Sequence, residues 1–302
     1  MLKRLLMETD FEKIKALIEK FDHFEMIKVP DLDDRLARLD VKLNSAGFDR
    51  WGLHPETLRK FAPFLYWFYK KYFRVETEGL ENLPAGRALF VGNHGGQLPV
   101  DAMMAGLALF LEAEPPRIAR AMVERWVPTV PFVSTLFTRT GAMVGDPMNC
   151  RELLMHDQSV LVFPEGVRGS GKLFKDRYQL QRFGTGFMRL ALETKTPIVP
   201  VAIIGSEETY PSIYNLEGFA KMIGAPYFPI TPFFPLFGAL GMVPLPSKIT
   251  IRFGKPMEFE GDPNETEEAI REKVHQVKES LQAEINIGLK KRGDHIFTGA
   301  AK

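Results

Sequence analysis

The sequence predicts an α/β fold: a mixed, mostly parallel sheet flanked by helices and preceded by an N-terminal helical region. Three observations predict it. After Gly79, short apolar β-prone runs alternate with helical stretches, the pattern of strands joined by crossover helices. Before that point, apolar residues recur at spacings of three and four, as on one face of a helix. At 302 residues and 45% apolar composition, the chain can bury a full core.

Within the first 74 residues three helices are expected. Phe11, Ile14, Leu17, Ile18, Phe21 and Phe24 mark one from Asp10 to about Val29. The opening stretch MLKRLLMETDFEKIKALIEKF carries scattered charges and no apolar core with a small-residue cleavage site, so it reads as an amphipathic helix and not as a signal peptide. Leu32, Leu36, Leu39 and Leu43 repeat the signal until Asn44-Ser45-Ala46-Gly47 stops it. Pro55 suits the start of a third helix running to about Phe73. That helix is rich in aromatics and ends in Lys70, Lys71 and Arg74, a mixture suited to a lipid headgroup boundary and equally to packing on the next domain.

From residue 75 to 302 the α/β domain is expected. Its strands are read at 88–92, 117–123, 159–163, 198–204 and 248–253, and its last amphipathic helix at 265–289. Residues 222–247 carry no charge, but six prolines argue against a straight membrane span. Proline at every third position from Pro226 to Pro235 favours an extended polyproline II path. With its Tyr and Phe residues this apolar loop suits either the acyl boundary of a bilayer or a buried cover over the domain.

Thirty-nine basic and 38 acidic residues leave a formal charge of +1, so the chain as a whole offers no long-range attraction for nucleic acid. A single cysteine, Cys150, excludes an intrachain disulfide framework, and the scattered histidines lack metal-ligand spacing. No metal or cofactor is expected, and a cytoplasmic setting fits.

The chemistry concentrates after the apolar strands. Directly after Ala88-Leu89-Phe90-Val91 comes Gly92-Asn93-His94-Gly95-Gly96-Gln97-Leu98-Pro99-Val100-Asp101, then an apolar helix. Pro99 suits a helix start, which places Asp101 in the first turn, and the glycine pair lets the chain fold back so that His94 and Asp101 meet. A carboxylate on one imidazole nitrogen fixes the tautomer and leaves the other to take a proton, worth about 10²- to 10⁴-fold in rate. On its own the pair fits a structural loop contact as well as a general base. A second motif, Phe163-Pro164-Glu165-Gly166-Val167-Arg168, again follows an apolar strand, and Arg168 has the chemistry to clamp a phosphate.

An Asn-His motif with a following Asp, then Phe-Pro-Glu-Gly-x-Arg about seventy residues later, then Ile198-Val199-Pro200-Val201, resembles the glycerophospholipid acyltransferase superfamily, which contains the 1-acylglycerol-3-phosphate acyltransferases. The resemblance covers about residues 75 to 260. It implies that His94 is the base and Asp101 its orienting partner, that Glu165, Gly166 and Arg168 shape acceptor binding, and that Pro200 supports the site. It also implies an acyl-CoA or acyl carrier protein donor and a lysophospholipid-type acceptor such as lysophosphatidic acid. The chain departs from the common family pattern in having six residues between His94 and Asp101 instead of four, the mark of a longer-spaced subfamily. It also lacks the arginine that often ends the family's second motif. Arg139 is the candidate replacement. Arg182, beside Gly184-Thr185-Gly186 at the head of another helix, is a further anion-binding candidate, with a plain glycine turn as the alternative.

Two other reaction classes fit less well. Gly166 to Leu173 matches a phosphate-cradling loop except at its last position, where Leu173 stands in place of the magnesium-binding Ser or Thr. No Gly-x-Ser-x-Gly elbow supplies a covalent nucleophile. The expectation is direct attack by the acceptor hydroxyl on a thioester, with backbone N–H groups near Gly95 or Gly166 holding the oxyanion. The expected setting is peripheral, on the cytoplasmic face of a membrane. The competing class is a non-catalytic membrane-surface interaction protein.

Overall fold

The computed structural model describes residues 27–96, 98–125, 133–222, 224 and 227–299. The helix expected from Asp10 lies outside the described residues except at 27–29, which are not helical. The helical region then contributes α1 (Leu32–Ala37) and α2 (Pro55–Trp67), and a π-helical turn over Phe68–Tyr72 continues the latter. Pro55 opens α2 where no intrahelical N–H is needed. The second helix was expected to reach Leu43, but it stops at Ala37. Arg35 bonds the Phe110 and Ala113 carbonyls, and with Arg38 it pairs with Glu114, which ties this segment to a later helix end. Leu36 and Leu39 remain buried against Leu58 and Phe110.

The sheet has seven strands: β1 (Glu76–Glu78), β2 (Leu89–Gly92), β3 (Ala119–Val123), β4 (Met143–Val144), β5 (Ser159–Val162), β6 (Ile198–Ile204) and β9 (Thr250–Phe253), in spatial order β1-β9-β6-β2-β5-β3-β4. Every neighbouring pair is parallel except β6 with β9. A separate two-stranded ribbon joins β7 (Tyr214–Asn215) to β8 (Pro229–Ile230).

All four residues of β2 and all seven of β6 are buried, as expected for central parallel strands covered on both faces. Alternation divides the core accordingly. Phe90, Val199, Val201 and Ile203 join one cluster with α3 (Val100–Leu111) and the end of the N-terminal helical region. Leu89, Val91, Ile198, Ala202 and Ile204 join the other. That second face is covered by α5 (Pro147–Met155), α7 (Gly186–Thr194) and the long α9 (Glu267–Arg292). Thr266 caps α9 through a bond from the Ala269 N–H at 3.3 Å, and acidic first-turn and basic last-turn residues suit its dipole. Two shorter helices, α4 (Val133–Arg139) and α6 (Val167–Ser170), and one external helix, α8 (Glu217–Met222), complete the fold.

The extended path expected from Pro226 to Pro235 does not persist. After β8 the chain turns at Thr231, whose hydroxyl accepts the N–H groups of Phe233 and Phe234 at 3.2 and 2.8 Å. No described helix is long and apolar enough to cross a membrane. The arrangement brings the carboxyl ends of β6, β2 and β5, three adjacent central strands, to one edge of the sheet.

Candidate functional site

Asn93 follows β2 and is fully buried. Its amide donates to the Ile203 carbonyl at 3.0 Å and accepts the Ile203 N–H at 2.7 Å, so a side chain continues the β2–β6 ladder by one step. This fixes where His94 leaves the sheet. At Gly95 a Cβ would sit 2.0 Å from Cγ of Glu207, and Gly96 has φ +88°. Only glycines let the chain turn here.

Asp101 then arrives in the first turn of α3, fully buried, with Oδ2 2.6 Å from His94 Nδ1. The same oxygen accepts the Gly95 N–H at 3.0 Å, and Oδ1 accepts the Ala102 N–H at 2.7 Å. The carboxylate only accepts, so Nδ1 carries the proton and Nε2 presents its lone pair. Burial of the imidazole disfavours its charged form, but Asp101, by charge and hydrogen bond, outweighs that with help from Glu165 and holds His94 above its ordinary pKa. The Phe163 ring lies beside the imidazole, with centroids 4.8 Å apart.

Glu165, after β5, is buried beneath this pair. Its Oε1 accepts the His94 N–H at 2.8 Å and its Oε2 the Gln181 N–H at 2.7 Å. Lys172 lies 3.4 Å from that Oε2 and 3.0 Å from Glu207, whose other oxygen accepts the Tyr178 N–H at 2.9 Å. Burial pushes the Glu207 carboxyl up, and Lys172 opposes that. The lysine of the phosphate-loop look-alike is therefore engaged by two carboxylates. Gly169 packs α6 directly on the histidine, since a Cβ there would lie 2.8 Å from the Cβ atoms of both His94 and Glu165.

His94 lines a cavity of about 550 Å³, within the usual ligand-pocket range of roughly 300–1,000 Å³. Its walls are largely apolar: Met122 and Val123 from β3, Phe137 from α4, Cys150 from α5, and Phe187 and Leu190 from α7. Among the described lining residues the only acidic side chains are Glu124 and Asp146, and none is Lys or Arg.

The predicted residues thus separate. His94 and Asp101 come together, Glu165 touches the His94 backbone from below, and Gly166 lines the cavity. Arg168 and Arg182 are exposed and make no hydrogen bond or ion pair with any described residue, while their near neighbours Val167 and Gly184 line the cavity. Arg139 does not line it, because its guanidinium lies over the Phe48 ring, 5.6 Å from the centroid. Asn93, Lys172, Gln181 and Glu207 were not singled out as site residues. The rule that picked out residues after apolar strands would have found Glu207, which follows β6 as His94 follows β2.

A family model described as Acyltransferase matches residues 74–204. An uncharacterized protein of Mycobacterium leprae (strain TN) is 48% identical over 197 residues, 65% of this chain and 54% of its own. The DGAT1/2-independent enzyme synthesizing storage lipids of Mus musculus is 26% identical over 208 residues, 68% of this chain and 59% of its own. The chain spans about half the length of the curated relatives it matches. Among solved structures, the 1-acyl-sn-glycerophosphate (LPA) acyltransferase PlsC from Thermotoga maritima aligns over 94% of this chain and 99% of its own, with TM-score 0.48 and 19% identity.

Proposed function

We propose that the chain transfers a fatty acyl group from acyl-CoA or acyl carrier protein to a hydroxyl of a lysophospholipid-type acceptor such as lysophosphatidic acid, a reading supported by the Acyltransferase family model that matches residues 74–204. The observation that carries this reading is the Asp101-bonded His94 at the wall of a large apolar cavity. Nε2 takes the acceptor's hydroxyl proton as that oxygen attacks the thioester carbonyl. The tetrahedral intermediate collapses, the C–S bond breaks, and the leaving thiolate takes the proton back from the imidazolium. Ester and free thiol result, without a covalent enzyme intermediate.

For the oxyanion, the Gly95 and Gly166 N–H groups are already engaged by Asp101 and the Phe163 carbonyl. Gly96 and Val167 line the cavity, and their N–H groups have no described partner, so they are the better candidates for donors. Arg168 and Arg182 at the rim are the cations for an acceptor phosphate. Arg139, stacked on Phe48, is left out. We infer a peripheral position on the cytoplasmic face of the bilayer from an acceptor that resides in the membrane.

The absence of Lys and Arg from the described cavity lining favours a second reading, in which the acceptor is an uncharged lipid alcohol. Thiol release from palmitoyl-CoA, measured with lysophosphatidic acid, with monoacylglycerol and diacylglycerol, and without acceptor, separates the two. Acceptor-dependent release that His94→Ala abolishes is expected. Equal release by the variant would refute the reading.

A further inference from the structure

Eleven of the eighteen large apolar side chains exposed among the described residues fall between positions 213 and 243. That density marks one surface. The most exposed are Leu236 (79%), Leu240 (77%), Met222 (72%), Ile213 (62%), Phe237 (57%) and Val243 (56%). They sit on or beside the β7–β8 ribbon, α8 and the turn over Gly238–Met242. Monomeric soluble proteins rarely leave so many apolar side chains together in water.

This crest is held out from the body. The Tyr210 hydroxyl donates to the Met242 carbonyl at 2.9 Å, and the Leu245 N–H donates to Thr209 at 2.8 Å. From the N-terminal helical region, the Tyr72 hydroxyl donates to Pro244 and Arg74 to Pro246. Clamped at its base, the segment does not fold down to bury its own leucines. It also runs into the cavity, since Met242 and Tyr227 line it and the half-exposed Leu98 lines it too.

We propose that this crest is the surface by which the protein inserts into the acyl boundary of a phospholipid bilayer, and that lipid acceptors pass along it to His94. The charge pattern selects the occupant. From Met222 to Ser247 there is no charged side chain, and between positions 213 and 243 only Glu217 and Lys221 are charged, whereas a protein interface would carry a polar, hydrogen-bonding rim. The exposed cations Lys71 and Lys221 flank the crest, at the level where headgroup phosphates would lie. The proposal deepens the acyltransferase reading and depends on it only for the identity of the lipid that enters.

The test is flotation of the full chain with vesicles of phosphatidylcholine containing a minor fraction of phosphatidylglycerol. Leu236→Asp with Leu240→Asp should lower the partition coefficient at least about tenfold, because charged side chains are costly below the headgroups. Met155→Asp, at a side chain 52% exposed on α5, should leave it unchanged. The circular dichroism spectrum and melting temperature of the double variant should match wild type, which shows that the variant is folded. Binding within twofold of wild type would overturn the proposal. So would a vesicle-free dimer that the double substitution dissolves, which would make the crest a contact between copies. If the wild type floats as expected yet transfers no acyl group, the docking surface stands and the acyl-transfer reading falls.

Discussion

Replacing Asp101 by Asn tests the proposed base with almost no change of volume. The carboxylate accepts three N–H donors, from His94 Nδ1 and Gly95 on one oxygen and from Ala102 on the other. Asparagine offers one acceptor oxygen and one amide that only donates. If the oxygen stays on His94 and Gly95, the amide confronts the Ala102 N–H. If it turns to Ala102, the amide meets Nδ1, the imidazole takes the tautomer protonated on Nε2, and no lone pair faces the substrate. Either arrangement removes the charge that stabilises the imidazolium. A positioned general base is worth about 10²- to 10⁴-fold, or about 3–5 kcal/mol of barrier at 1.36 kcal/mol per tenfold. Asp101→Asn should therefore cut acceptor-dependent thiol release by that factor. The pH dependence supplies a second readout. A base acts when unprotonated, and Asp101 raises the His94 pKa, so wild-type activity should fall as pH drops through a value above 6.5. In the variant that limb should move to lower pH. A rate within threefold of wild type, or a limb that stays in place, would refute the assignment.

Glu165→Gln separates positioning from acceptor binding. Glu165 is buried and holds the His94 N–H, and its charge helps raise the His94 pKa. The variant should lower kcat, leave the acceptor KM near wild type and shift the acidic limb down; a raised KM with unchanged kcat would make Glu165 an acceptor contact. Gly169→Ala places a methyl 2.8 Å from the Cβ atoms of His94 and Glu165, contacts that no rotamer change relieves. It should cost roughly 1–3 kcal/mol of stability by denaturant titration and lower kcat by more than tenfold, and a wild-type kcat would show that α6 does not set the histidine's position.

The legible parts of this protein are those governed by local rules. The central strands announce themselves because burial on both faces demands uninterrupted apolar runs, and His94 with Asp101 was readable because Gly95, Gly96 and Pro99 dictate a tight return into a helix start. The strand β1 (Glu-Thr-Glu) and the two-residue β4 are edge strands too short and too polar to leave a periodic signal. The expected helix through Leu43 ends at Ala37, and the partner of Arg35 and Arg38, Glu114, lies 76 or more residues away, where no local pattern announces it. The same holds at the site. Glu165 meets Lys172 and Glu207 only because three strand ends are adjacent, and strand order is not written in any local pattern. Nor does Arg139 reveal in its neighbours that Phe48 will take its guanidinium.

The three strand ends also set the charge that His94 meets when it takes up a proton in the proposed reaction. Three carboxylates, Asp101, Glu165 and Glu207, surround one ammonium, Lys172, and one imidazole. Counting the carboxylates as ionised, the cluster carries two uncompensated negative charges while His94 is neutral and one when it is imidazolium. In the proposed reaction, protonation of His94 as the acceptor oxygen attacks therefore improves the local charge balance in a site largely shielded from water, where such differences are least screened. Without Lys172 the field would be stronger, and the resting histidine would be held protonated to higher pH and lost as a base. The buried lysine thus sets a compromise between a base that accepts the proton readily and one that is free at the start of each turnover. This is a reason for the chain to bury a cation where a neutral side chain would suffice for packing.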